Sequence, residues 1–254
     1  MTAPATLDVR IADGVCRVRL DRPEAANALN AAMIAELAEI VGTHAADERT
    51  ASVRILVLEG SAEVFSFGGD FEAVAGGAPI DPGPLYDLWT SLATGPFISI
   101  ALVRGRANAG GVGLAAACDL VLADRTATFA LSEMLFGLFP ACVMPFLIRR
   151  TGVQRAHALA LTTRPIGADE ALAWGLADAV GEDAEALLKS HLRRLAHLSK
   201  PAIGRYKAYM AELFGLISQA RPLAVAANRT MFDDPAVRRN ITRYVQEMKW
   251  PWEP

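Results

Sequence analysis

Two short glycine-rich turns and one glutamate are the residues of this chain best suited to chemistry. The first turn is Phe65-Ser66-Phe67-Gly68-Gly69-Asp70-Phe71, and the second is Asn108-Ala109-Gly110-Gly111-Val112-Gly113. Paired glycines let backbone N–H groups face a ligand with no Cβ in the way. The second turn runs into small residues that read as a helix, so free amides and the positive end of a helix dipole coincide there. Two amide sources converging on one point would make an oxyanion hole, where one lost donor typically costs about 10²–10³ in rate. Taken singly, each turn reads more readily as a tight structural turn than as an active site.

Glu133 sits in Phe129-Ala130-Leu131-Ser132-Glu133-Met134-Leu135-Phe136-Gly137, an otherwise apolar run. Burying an ionised carboxylate there is costly, so its pKa should rise. That suits a proton shuttle near neutral pH, worth typically about 10²–10⁴-fold. A salt-bridged or surface glutamate fits the same local sequence. A different chemistry competes for the second turn. Gly111-Val112-Gly113-Leu114-Ala115-Ala116 matches the GxGxxA form of a dinucleotide fingerprint, with Glu133 about 20 residues on. That fingerprint should follow a strand directly, whereas Arg104 to Ala109 intervene here.

The elements that must position these residues alternate. Leu7 to Ile11 and Val15 to Leu20 read as strands around an Asp13-Gly14 turn. Asn30 is placed to cap a helix with Met33, Ile34, Leu37, Ile40 and Val41 on one face. Val53 to Leu58, Ile98 to Val103 and Asp119 to Ala123 read as further strands, with a helix over Gly110 to Ala117. This order predicts a mixed α/β architecture. Ala73 to Pro84, crowded with glycine and proline, reads as a flexible loop of the kind that borders binding sites. Beyond Ile166 the pattern turns helical, with a helix from Ala168 to Gly175 and another over Glu185 to Leu198, stopped at Lys200-Pro201. Helical stretches over Ile203 to Ala220 and Pro222 to Met231 follow.

The bulk composition excludes several classes. The chain has 254 residues and a net charge of −3, which gives no bulk attraction to nucleic acid or an acidic membrane. Cys16, Cys118 and Cys142 form no CxxC pair and the histidines do not cluster, which argues against a disulfide framework or a metal site. Neither a secretory signal nor an apolar run of membrane-spanning length is present, so a cytoplasmic location is the expectation.

Together the segments resemble the crotonase (enoyl-CoA hydratase/isomerase) superfamily over nearly the whole chain. Asp21-Arg22-Pro23 with Asn27-Ala28-Leu29-Asn30 is similar to its early signature, and Thr163-Arg164-Pro165-Ile166 with Ala168 to Leu176 to its later one. The two glycine turns resemble its oxyanion segments. The resemblance implies a crotonase-type α/β spiral of ββα units over residues 1–195, and a helical C-terminal region over 196–254 packing on the core or a neighbouring subunit. It also implies a homotrimer or hexamer, no metal or other cofactor, acyl-thioester substrates, and an oxyanion hole from the Gly69 and Gly110 amides. Typical hydratases of the family carry two glutamates; the second aligns with Glu133, but the first aligns with Gly113.

The chain is most similar within that family to the dehydratases of polyketide β-branching cassettes. The residues concerned are Pro84 to Trp89, Thr94-Gly95-Pro96, Leu131 to Phe139, Phe146 to Arg150 and Trp250-Pro251-Trp252-Glu253. That resemblance implies dehydration of a 3-hydroxy-3-methylglutaryl group on an acyl carrier protein to 3-methylglutaconyl. Glu133 would protonate the leaving hydroxyl and also remove the α-proton. Tyr86, Asn108 and Asp70 are candidates for substrate binding, the first two at the distal carboxylate, while Asp70, next to the first oxyanion turn, is better placed to cap its amides. Lys200, Arg205 and Lys207 are candidates for a basic patch facing the carrier protein. The four histidines are expected to be structural, and Trp89 and Trp174 to lie in the core or an interface. Three alternatives remain at this point: a general enoyl-CoA hydratase, a glutaconyl decarboxylase and a catalytically silent binding protein of the same fold.

Overall fold

The computed structural model describes residues 4–46 and 53–254. The chain opens with a hairpin of β1 (Leu7–Ala12) and β2 (Val15–Leu20). Asp13 and Gly14 both take positive φ, as a two-residue hairpin turn demands. In α1 (Ala31–Ala46), Asn30 caps the first turn by accepting from Met33 N at 2.8 Å. Of its expected stripe, Met33, Leu37, Ile40 and Val41 are buried and Ile34 is half-buried.

Each later unit lays down two strands and then helix. The second unit is β3 (Ile55–Glu59), β4 (Val64–Ser66), α2 (Phe71–Ala75) and α3 (Gly83–Thr94). The third is β5 (Ile98–Val103), β6 (Arg106–Asn108) and α4 (Gly110–Ala117). The fourth is β7 (Leu120–Asp124), β8 (Thr128–Ala130), a 3-10 turn over Glu133–Phe136, and α5 (Met144–Thr162). Then come β9 (Ile166–Gly167), α6 (Ala168–Trp174), β10 (Ala179–Gly181) and α7 (Ala184–Leu195). Three helices complete the chain: α8 (Lys200–Phe214), α9 (Leu216–Asp233) and α10 (Pro235–Glu247).

Two sheets result, and successive units feed both. The larger has the order β1-β2-β3-β5-β7-β10 and the smaller β4-β6-β8-β9. Pairing is parallel except at the β1–β2 and β8–β9 pairs. β3 and β5 are buried along their whole length, as central parallel strands covered on both faces must be. This is the ββα spiral expected, with helices gathered at the C-terminal end. Among the described residues no helix is long and apolar enough to cross a membrane.

The structure departs from the sequence reading at several boundaries. The glycine- and proline-rich segment is only partly loop: α2 takes residues 71–75 and α3 begins at Gly83. Lys200-Pro201 starts a helix and does not merely stop one. Ser199 accepts from Ala202 N, and Pro201 sits in the first turn, where a missing N–H costs nothing. The stretch from Ile203 to Ala220 breaks at Gly215, which has φ +48, while Pro222 lies inside α9. α10 lies beyond every helix read from the sequence; Asp234 caps it by accepting from Ala236 N at 2.7 Å.

Candidate active site

The smaller sheet carries all three candidate segments. β4 ends in the first glycine turn, β6 in the second, and β8 in the segment bearing Glu133. Because the three strands are hydrogen-bonded neighbours, their C-terminal ends lie side by side.

The two glycine turns are in direct contact. A Cβ added to Gly68 would stand 2.8 Å from both Ala109 Cβ and the Asn108 carbonyl oxygen, and Gly68 has φ +94. Only glycine accepts that backbone and that approach together. Across the contact, Ala109 is a non-glycine residue at φ 48 and ψ −118, a sparsely populated conformation that costs about 1–3 kcal/mol. It makes the corner from β6 into α4, leaving the Gly110 N–H at the helix start with no intrahelical acceptor. Among the described residues, neither the Gly69 nor the Gly110 amide donates in the turn and cap hydrogen bonds. Both glycines line one cavity of about 1120 Å³, and nothing would crowd a Cβ at Gly69. Two unspent N–H groups from touching turns can hold a carbonyl oxygen as charge develops on it.

A lattice of side chains fixes the first turn. Arg22 Nη1 donates to Asp70 Oδ2 at 3.0 Å and to the Ala28 carbonyl at 2.7 Å. Asp70 Oδ1 accepts from Ala73 N at 3.0 Å and so caps α2. Leu29 N donates to the Gly68 carbonyl at 2.7 Å. Asp70 thus borders the cavity as the cap of α2, with its two oxygens engaged by Ala73 N and by Arg22, a partner that the sequence alone does not reveal.

The second turn is tied to the Glu133 segment. Asn108 Nδ2 donates to Ser132 Oγ at 2.9 Å, and Ala109 N donates to the Ala130 carbonyl at 2.9 Å. Glu133 itself lines the cavity, and its Oε2 is out of reach of solvent with no partner among the described residues. Burial pushes its pKa up to about 7, opposed only by a hydrogen bond to its own backbone amide. A carboxyl in that state both takes and gives a proton near neutrality.

Tyr86 is corrected by the structure. It is fully buried, and its hydroxyl donates to the Ile217 carbonyl at 2.7 Å, joining α3 to α9. Its ring packs on Phe146 at 5.1 Å, and it does not line the cavity. The basic patch also changes. Lys207 is buried and pairs with Asp119 at 2.6 Å, Lys200 is buried against the His44 carbonyl, and only Arg205 is exposed. Asn108 borders the cavity but spends its amide on Ser132.

Trp89 is buried in the core, as expected, and it also lines the cavity. A Cβ at Gly113 would come within 2.4 Å of Trp89 Cη2, so the indole occupies the space a side chain at position 113 would need. On the other side, Phe136 packs against Phe71, Tyr244 and Trp250 at 5.0, 5.2 and 5.7 Å. The C-terminal segment thus folds over the cavity. Among the described residues no cluster of His, Cys, Asp or Glu could hold a metal ion.

Residues 10–254 match the enoyl-CoA hydratase/isomerase family. The chain belongs to that family. The bacillaene synthase dehydratase PksH of Bacillus subtilis (strain 168) is 44% identical over 254 residues, covering 98% of this chain and 96% of its own. A crystal structure of the polyketide biosynthesis enoyl-CoA hydratase pksH from Bacillus subtilis superposes with a TM-score of 0.93, covering 97% of this chain and 99% of that one. An enoyl-CoA hydratase structure from Mycobacterium avium subsp. paratuberculosis K-10 gives a TM-score of 0.85 at 26% identity, covering 98% and 99%. The chain is also similar to 4-chlorobenzoyl coenzyme A dehalogenase-2 of Arthrobacter sp, 32% identical over 188 residues, covering 70% of this chain and 67% of that protein.

Proposed function

We propose that this chain is a hydro-lyase that dehydrates 3-hydroxy-3-methylglutaryl thioester, carried on the phosphopantetheine arm of an acyl carrier protein, to 3-methylglutaconyl thioester in polyketide β-branching. The observation that carries this reading is a single carboxyl, Glu133, poised near neutrality in a cavity shared with the unspent Gly69 and Gly110 amides. The full-length similarity to a dehydratase of bacillaene synthase supports it.

The two amides hold the thioester carbonyl and make the α-proton acidic. Ionised Glu133 takes that proton from C2 as the C2–C3 double bond forms and the C3–O bond breaks. The same proton then passes from Glu133 to the departing hydroxyl, and water leaves. Position 113 supports a one-carboxyl route, because the glutamate that two-glutamate hydratases place there has no room beside Trp89. That crowding also counts against a general hydratase, and the retained Glu133 counts against the decarboxylase alternative.

Incubating the protein with carrier protein loaded with 3-hydroxy-3-methylglutaryl tests the proposal by intact mass. Loss of one water is the expected result. In a second incubation with carrier protein loaded with 3-methylglutaconyl, loss of carbon dioxide would instead identify a decarboxylase, and an unchanged mass with both substrates a silent fold. The same acyl group on coenzyme A shows how much the carrier contributes.

A further inference from the structure

The substrate just proposed ends in a free carboxylate, and with Tyr86 spent on Ile217 that anion has no partner yet assigned. An unpaired carboxylate in an apolar cavity is costly. The cavity lining is largely apolar and its charged members are mostly acidic: Glu24, Asp70, Glu72, Asp81 and Glu133. Among the described residues that line it, Arg106 is the one lysine, arginine or histidine.

Arg106 is also uncommitted. It is exposed, and its guanidinium makes no ion pair or hydrogen bond with a described residue. The nearby Arg22, by contrast, is consumed by Asp70 and the Ala28 carbonyl. The Arg106 guanidinium lies over the Phe67 ring, 5.2 Å from its centroid. Phe67 is itself 38% exposed, lines the cavity and stands two residues before Gly69. On β6, Arg106 and Asn108 are two residues apart and so share a face of the strand, and both border the cavity. The cation therefore sits beside both turns whose amides would hold the thioester carbonyl. In a glutaryl chain only four carbon–carbon bonds separate that carbonyl from the far carboxylate.

We propose that Arg106, stacked on Phe67, is the specificity residue that binds the free terminal carboxylate of the acyl group and so selects dicarboxylic acyl thioesters. This rests on the dehydratase reading above. Guanidinium pairs bidentately with a carboxylate, and stacking on an aromatic face leaves its N–H edge free to do so.

The test compares wild type, Arg106→Gln and Arg106→Lys on three carrier-bound or pantetheine-bound substrates. These are 3-hydroxy-3-methylglutaryl on carrier protein, its terminal amide on carrier protein, and 3-hydroxy-3-methylglutaryl on pantetheine lacking the phosphate. Arg106→Gln should lower kcat/KM for the carboxylate substrate by about 10–100-fold, the range of a charge-assisted hydrogen bond, and leave the amide within a few-fold of wild type. Arg106→Lys should recover part of the loss. The deficit should persist on pantetheine; a deficit that disappears there, but remains for the amide on carrier, would assign Arg106 to the phosphate and overturn the proposal. Equal losses on acid and amide would overturn it too. Binding of unreactive 3-methylglutaryl pantetheine and its terminal amide, measured calorimetrically, keeps the question separate from turnover. If wild type dehydrates nothing yet still prefers the acid through Arg106, the reaction assigned above fails and this inference stands.

Discussion

At the scale of single residues, the role proposed for Glu133 fixes the expected direction of the pH profile. Its carboxyl is pushed up to about 7 by burial. If one carboxyl performs the whole elimination it must begin ionised, because the α-proton leaves first. We therefore expect kcat/KM to rise with pH through about 7 and then level. A group that only protonated the hydroxyl would give the opposite slope, with activity falling above 7. Glu133→Gln should lower kcat by about 10²–10⁴ while keeping its fold by circular dichroism. Stability supplies an independent check of the same burial. A pKa raised from 4.5 to about 7 means that the folded state binds the proton more tightly than the unfolded chain does. The stabilisation due to that proton is complete below about 4.5 and is lost as pH rises through 7. At about 1.4 kcal/mol per pH unit, the ionised side chain then burdens the fold by at most roughly 3.5 kcal/mol. Glu133→Gln, neutral throughout, should gain Tm over wild type at pH 8 and not at pH 4.

At the scale of elements, the packing of α3 on α4 sets what position 113 tolerates. Trp89 is buried, with Phe146 edge-on to it at 5.5 Å, so its ring is backed by another aromatic. The Cβ of Gly113→Ala would need space within 2.4 Å of that ring. Overpacking of this kind costs about 1–3 kcal/mol, read as a lower urea midpoint with an unchanged slope. Trp89→Phe in the same chain should return part of the loss, and strictly additive effects would count against a direct clash. This contact was invisible in the sequence, since Trp89 and Gly113 lie on different helices and no local pattern couples them. The glycine turns and the Asn30 cap were legible because their meaning is local: backbone freedom and a side chain reaching its own neighbours. The Lys200-Pro201 boundary was misread because proline both stops and starts helices, and Ser199 was the signal that it starts one here. Asp234-Pro235 carried the same signal for α10 and was passed over. Tyr86 and Lys207 were misplaced for a different reason: a polar tip says nothing of whether a distant backbone carbonyl or carboxylate will consume it.

At the scale of the whole molecule, residues far apart in the chain wall the cavity together. The segment bearing Glu133 and the C-terminus meet in an aromatic cluster. Phe136, in the same 3-10 turn as Glu133, packs against Tyr244 and Trp250, and Trp250 stacks on Trp252 at 5.2 Å with the rings 12° apart. Phe71, which follows the first glycine turn, completes the cluster. Tyr244 and Trp250 line the same cavity as Glu133, so the part they take in excluding water from its carboxyl can be tested. Trp250→Ala should let water into the cavity, lower the energetic cost of the ionised carboxyl, and move the Glu133 limb of the pH profile down by on the order of one unit. The KM for the loaded carrier protein should rise with it, because the acyl chain loses an apolar wall. A limb that stays near pH 7 despite a raised KM would mean that the fourth ββα unit alone desolvates Glu133. The C-terminal cover would then serve substrate binding and not proton transfer.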